Sequence, residues 1–499
     1  DGVALAVAHG DGHQSGRRDH AVTVELDVPQ RRLVVHGVPR SVDGPIGVHV
    51  TNVLGWPERP GGAAGSPYSV PVAVPAAGEP VAVQADDGAI VLDPSALFVP
   101  DITAVELESE ATISDAAVTA LPTRMPFNAD LVDAEYSANT GQGVYVAVLD
   151  TGLVSQWPVL FSQANIAADL GIGFTHDVYW DDAAGDIMMG PLRDDRGFIT
   201  GLASGHGTHV TSIITGYNRN NLYWVQGVAP QVTIIPVLVL DAWEVATPYG
   251  PVRLSGGTDE MVSAGITYIA DLAETLDGPV VINMSLGGAE RSTMIEEAVN
   301  YAIGKGVIVV ASAGNNGEVG MGYPGGLSQI ISAAAGGWAD MFNFGWNADV
   351  PEKLNRRDTM GNNWQIYLED FSSRPNKYLD QKHQDLDVTT PGAWVVGPYR
   401  PAFATGLAYY YVSGTSQAAP HVSAIAALVL QTHLTLIQEE MEAILENAAR
   451  GLPLPADDAI VAYAFAAPYY YWCMWDGGDA GAGFLQIPKA LTVADVMDK

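Results

Sequence analysis

The sequence predicts an α/β protein: a doubly wound parallel sheet preceded by a small all-β N-terminal domain. Three observations carry this. Four β-branched runs, "GVYVAVLD", "QVTIIPVLVL", "GPVVINMSL" and "GVIVVASAG", are continuously apolar, as strands buried on both faces are. Segments with apolar residues at spacings of three and four, among them "TDEMVSAGITYIADLAETL" and "TMIEEAVNYAIGKG", alternate with them. Before about residue 98 the texture is different, with short alternating runs such as "HAVTVELDV" and "RRLVVHGV" separated by Pro, Gly and Asp clusters.

In chain order, residues 1–98 read as a β-rich domain, 99–124 as an acidic, weakly patterned linker, 125–492 as the α/β domain and 493–499 as a C-terminal tail. The length of 499 residues and a hydrophobic content of 48% allow a large core. A formal charge of −34 opposes nucleic acid as a partner, because such a surface repels phosphate. The single cysteine, Cys473, rules out an intramolecular disulfide and a cysteine-based metal cluster. The apolar run 459–475 is shorter than a span of about 20 residues and contains Pro468, so it reads as strand and loop. No basic-then-apolar leader opens this numbering, and the expectation is that a signal peptide has been removed.

The strand run 144–150 ends on Asp150-Thr151-Gly152, a tripeptide used by two unrelated protease chemistries. An aspartic protease needs a second Asp-Thr/Ser-Gly to share its proton, and the chain has none. The alternative is an aspartate that orients a histidine, which deprotonates a serine. Candidates stand at helix beginnings: His206 in "SGHGTHVTSII" and Ser416 in "YVSGTSQAAPHVSAIAALVL". A helix N-terminus offers unpaired N–H groups and a positive dipole end to a developing oxyanion. Chain order is Asp, His, Ser.

The segments "VAVLDTG", "GHGTHV" and "SGTSQAAPHV" together resemble the signatures of the subtilisin-like serine proteases, the subtilases (peptidase family S8), and the likeness extends over roughly 125–492. It implies a doubly wound sheet of the subtilisin type and a secreted serine endopeptidase made as a zymogen. By that resemblance Ser416 is the nucleophile, His206 the general base and acid, and Asp150 the group that holds the histidine tautomer. His209 is the competing histidine, and it reads with His421 as a packed or capping residue. Asn315 in "SAGNNG" matches the oxyanion-hole asparagine; by itself Asn-Asn-Gly would read as a turn. Ser285, Leu286 and Gly287, with Ala313, Gly314 and Gly322, match the walls of the pocket for the side chain before the cut, and "LSGG", which contains Gly256, matches the opposite substrate-pairing strand. Small uncharged walls imply apolar or aromatic side chains there.

Departures from the family pattern also matter. Gln417 stands where the family often has methionine. Insertions at 176–197 and about 337–370 are read as rimming the cleft or binding calcium; in the first, Asp181, Asp182 and Asp186 are candidate ligands for structural calcium, beside the plainer reading of a solvated acidic loop. Asn221 falls at the position of a common family calcium ligand. Residues 1–98 read as an atypical propeptide or as a retained accessory domain. The expected partners are protein or peptide substrates, with no membrane span and a monomeric chain. The rival readings are a specialised processing protease, a catalytically silent binding relative, which would lack a triad member, and a sedolisin-type acid peptidase, which would carry Glu at His206.

Overall fold

The structure is a computed structural model. It describes residues 121–338, 341, 346–347, 366–449, 451, 460–465, 467–473 and 475–497, together with strand segments at 23–27, 32–36, 46–50, 68–72 and 97–98. Two compact units are distinguished, Asp1–Pro94 and Ser95–Lys499. In the first, the described strands form two antiparallel pairs, Thr23–Asp27 with Arg32–His36 and Ile46–Val50 with Tyr68–Val72. The rest of the predicted N-terminal domain lies outside the described residues, as does most of the 337–370 insertion.

The second unit is built on an eight-stranded sheet. Its strands are β1 (Tyr145–Asp150), β2 (Ile172–Gly173), β3 (Thr233–Leu238), β4 (Val280–Met284), β5 (Ile308–Ser312), β6 (Ile331–Trp338), β7 (Ile366–Leu368) and β8 (Val388–Pro391). The order is β7-β6-β5-β4-β1-β3-β2, with β8 also paired to β6. Every pairing is parallel except that of β6 with β7. From β1 the chain passes to the outer strand β2, returns to β3 beside β1, and then crosses to β4, β5 and β6 on the other side. The reversal falls at β1, so its carboxyl end opens the crevice where open parallel sheets bind ligands.

Helices cover both faces: α1 (His206–Thr215) and α4 (Thr415–Leu430) on one, α2 (Asp259–Ala273) and α3 (Thr293–Gly304) on the other. The two-residue period of β1 divides its side chains between them. Val146 and Val148 pack with Val210, Val422 and Ile425, whereas Ala147 and Leu149 pack with Met261, Ile266 and Val299. This two-sided burial is why the strand runs are apolar without alternation.

Helix beginnings differ according to task. The Thr258 side chain accepts from Met261 N at 3.2 Å and that of Ser292 from Ile295 N at 3.4 Å, so α2 and α3 are capped by their own hydroxyls. Helices α1 and α4 begin after Gly205 and Gly414, which supply no side-chain cap. Their first N–H groups are left to neighbouring segments and to the crevice.

Several boundaries move. Leu97–Phe98, assigned above to the β-rich domain, pairs with Ala408–Val412 of the second unit, and Thr123–Arg124 of the predicted linker pairs in parallel with Tyr223–Gln226. Two- and three-residue strands carry too little periodicity to be read from sequence. A C-terminal helix spans Ile487–Met497 and crosses the predicted boundary at 492, because Ile487, Ala490 and Ala494 form one buried face. The run 459–475 contains the antiparallel strands Ile460–Phe465 and Ala467–Trp472. No helix among the described residues is long and apolar enough to cross a membrane.

A cluster of acids ties β8 to the helix α5 (Gln438–Ala448): Asp387, Glu442 and Glu446 each place an oxygen within 4.8 Å of the others. Asp387 is 2% exposed and accepts from Ser332 N at 2.6 Å and Ser332 Oγ at 2.9 Å. Burial pushes its carboxyl up to about 8 against the favourable Ser332 bonds. Burial, then the charges of Glu446 and Glu439, push Glu442 up to about 7. The folded chain thus holds protons that the unfolded chain releases near pH 4. Stability from these groups is complete below that pH and is lost as pH rises through 7 to 8. The melting temperature is expected to fall between pH 5 and pH 9, and E442Q is expected to flatten the fall. An unchanged slope in a calorimetric pH series would contradict this.

Candidate active site

Asp150 ends β1 fully buried. Its Oδ1 accepts from Thr151 N at 2.6 Å, and both carboxylate oxygens lie 2.9 Å from Nδ1 of His206. His206 opens α1 with its side chain 21% exposed, so one edge of the ring is held by the carboxylate while the other can reach the crevice. The approach is close enough that a Cβ on Gly207 would lie 2.5 Å from Gly152 O and 3.1 Å from Asp150 Oδ1. Thr151 Oγ1 accepts from Gly207 N at 2.9 Å, and Thr208 Oγ1 accepts from Val154 N at 2.9 Å. The threonines of the two motifs therefore lace β1 to α1. His209, one helical turn on, is fully buried, with Nε2 3.2 Å from Val395 O. Burial and the nearby His206 hold it down to about 3, and burial holds His421 down to about 4, so both stay neutral inside the core.

Ser416 is the second residue of α4. Pro420, inside the helix, has no N–H to give the Ser416 carbonyl four residues earlier. Ser285 Oγ supplies that bond instead, at 2.8 Å, and Ser416 Oγ donates to Ser285 O at 3.1 Å. Asn283 Nδ2 holds Ser285 Oγ at 3.0 Å, and Ser423 Oγ holds Asn283 Oδ1 at 2.9 Å. This chain of bonds welds the end of β4 to the start of α4.

Asn315 lies just beyond β5. Its Oδ1 accepts from Thr415 N at 2.9 Å and Thr415 Oγ1 at 3.0 Å, which caps α4 from outside. With the oxygen so engaged, Nδ2 is the end of the amide left for a ligand. Thr415 Oγ1 also accepts from Gly314 N at 3.1 Å. The predicted pocket residues gather beside it. Ala313 O accepts from Gly322 N at 2.9 Å, Leu286 O from Ser312 Oγ at 3.2 Å, and a Cβ on Gly287 would lie 3.3 Å from Tyr323 O. Ser373 Oγ, which accepts from Asn316 N at 2.9 Å, backs Gly314 and was not anticipated. Gly256 ends the strand Gly250–Gly256, which pairs with Asp241–Thr247 as a hairpin.

The residues of the calcium expectation lie in turns. The insertion forms a hairpin of Thr175–Asp181 and Asp186–Arg193, and its carboxylates serve the turn. Asp181 Oδ1 accepts from Ala183 N and Ala184 N, Asp182 Oδ1 from Trp180 Nε1, and Asp186 Oδ1 from Ile187 N. Unlike Asp387, Glu442 and Glu446, these three do not converge on one point among the described residues. Asn221 spends its Oδ1 on Asn218 Nδ2 at 2.9 Å.

A parallel α/β sheet, a histidine clamped to a buried aspartate at a strand end and a serine at a helix N-terminus define a class. The model of the subtilase family matches residues 141–466, and the chain belongs to that family of subtilisin-like serine endopeptidases. It is 32% identical over 297 residues to a subtilisin of Bacillus sp. strain TA39, covering 58% of this chain and 57% of that relative. It is 28% identical over 309 residues to thermitase of Thermoactinomyces vulgaris, covering 62% and 82% respectively. With the M-protease of Shouchella clausii identity is 30% over 359 residues, covering 70% and 72%. The chain thus spans little more than half the length of the first relative and over two thirds of the other two.

Proposed function

We propose that this chain hydrolyses peptide bonds of proteins through Asp150, His206 and Ser416, with an acyl-enzyme on Ser416. The observation that carries the reading is the double contact of His206 Nδ1 with the buried Asp150 carboxylate. An Nδ1–H donated to Asp150 leaves the lone pair on Nε2, the tautomer a general base needs. The Ser416 proton, directed at Ser285 O in the resting arrangement, is re-aimed at Nε2 as Oγ attacks the carbonyl. Asp150 then stabilises the imidazolium, which returns the proton to the leaving amine. Asn315 Nδ2 and the Ser416 backbone N–H receive the tetrahedral oxygen.

Substrate is read mainly through its backbone, as an added strand between Ser285–Gly287 and the edge at Gly256. The pocket of Leu286, Ala313, Gly314 and Gly322 takes a large apolar or aromatic side chain before the scissile bond. In a positional-scanning peptide library, cleavage after Phe, Tyr, Leu or Met is expected to exceed cleavage after Lys or Arg by at least about tenfold, the worth of one buried apolar side chain. Exclusive cleavage after basic residues would overturn the preference. The family setting and the formal charge of −34 support an extracellular enzyme.

A further inference from the structure

Gln417 follows Ser416 in the first turn of α4 and is 1% exposed. Its backbone N–H donates to Gly414 O at 3.0 Å, which fixes the root of the side chain against the glycine that precedes the helix. The side-chain Nε2 is buried and finds no hydrogen-bond partner among the described residues. A buried amide donor is ordinarily paired, and an unpaired one beside a nucleophile calls for a functional explanation. The other end of the amide points at the site. An ideal Cβ on Gly414 would lie 2.9 Å from Gln417 Oε1, 3.6 Å from Asn315 Nδ2 and 3.6 Å from Ser416 N. The space that glycine leaves there is therefore bordered by the Gln417 amide and by the two donors assigned to the oxyanion.

We propose that Gln417 is a third donor to the tetrahedral oxygen. Its terminal amide turns about χ3, and Nε2 takes the place of Oε1 facing Gly414. The turn exchanges two groups of nearly equal shape, and χ3 of glutamine is a soft two-fold torsion, so no repacking is required. In the free enzyme Oε1 faces the space beside the two donors, an acceptor standing close to where the substrate oxygen will come. The orphaned Nε2 is the cost of that resting state, and its pairing with an oxyanion is realised only in the transition state. Such an interaction raises kcat and leaves KM unchanged. Methionine, which the family often carries here, has no donor to offer.

The inference rests on the serine-protease reading, and the experiment separates the two. Wild type, Q417M and Q417E are compared for fluorophosphonate labelling, for kcat and KM on one chromogenic peptide, and for melting temperature. In Q417M, kcat is expected to fall roughly ten- to hundredfold, the worth of one hydrogen bond to a charged group, with KM held and the melting temperature equal or higher. Removing an orphaned buried amide should not destabilise the fold. Q417E keeps the shape, and where its carboxyl is ionised it offers no donor, so at alkaline pH its kcat should fall at least as far. Asn315→Ala combined with Q417M should lose less than the product of the two single losses, because both serve one oxygen. An unchanged or higher kcat in Q417M overturns the inference and leaves the triad standing. So does a fall in kcat that tracks a fall in melting temperature, which marks a structural role. A wild-type chain that takes no label overturns the serine-protease reading, and this inference with it.

Discussion

Ser416→Ala is expected to lower kcat/KM on a chromogenic peptide by about 10⁶-fold, the scale found when the nucleophile of subtilisin is removed. His206→Ala should lose about as much, and the double variant hardly more, because nucleophile and base act as one unit. Asp150→Asn should fall by about 10⁴, since an amide that donates to Nδ1 selects the wrong tautomer. The fold should survive each change. Alanine is a better helix former than serine at the start of α4, and only the Oγ bond to Ser285 O is lost. Activity of Ser416→Ala above about a hundredth of wild type would show that another group supplies the nucleophile.

The second large effect concerns Asn315. Asn315→Ala is expected to lower kcat by about 10²–10³ with little change in KM, because the Nδ2 bond strengthens as the carbonyl oxygen becomes an oxyanion. The alanine variant also loses the Oδ1 acceptor of Thr415 N and Oγ1, and with it an external helix cap worth about 1 kcal/mol. Asn315→Asp separates the two roles, since a carboxylate keeps the cap and donates nothing. Melting temperature should fall in Asn315→Ala but not in Asn315→Asp, whereas kcat should fall in both. A drop in KM affinity with kcat preserved would assign Asn315 to substrate binding instead.

How much was legible depended on whether a residue acts through its neighbours in sequence or through space. Asp150 ends a strand, His206 begins a helix and Ser416 stands in the first turn of another, each inside a distinctive segment, so motif and periodicity pointed to them together. The buried strands were readable for the same reason, since burial on both faces leaves no polar alternation to confuse the period. Ser285 was legible only as a pocket wall. Its bond to the Ser416 carbonyl follows from Pro420, which lies 135 positions further along the chain, and no local pattern joins the two. For the acids at Asp181, Asp182 and Asp186 spacing alone does not tell a cation site from a hairpin turn, whose backbone N–H groups attract carboxylates equally. Gln417 was visible as a departure, but the orphaned donor that gives it meaning appears only once the core around it is packed.

In the proposed chemistry one serine, Ser416, is the nucleophile, activated by His206, whose ring Asp150 holds. This is tested most directly by reacting the purified, processed chain with a fluorophosphonate and locating the adduct by peptide mass mapping. A single adduct on Ser416, absent after denaturation and absent in His206→Ala, is the result predicted. An adduct on another residue, or none on a folded and processed chain, would contradict it.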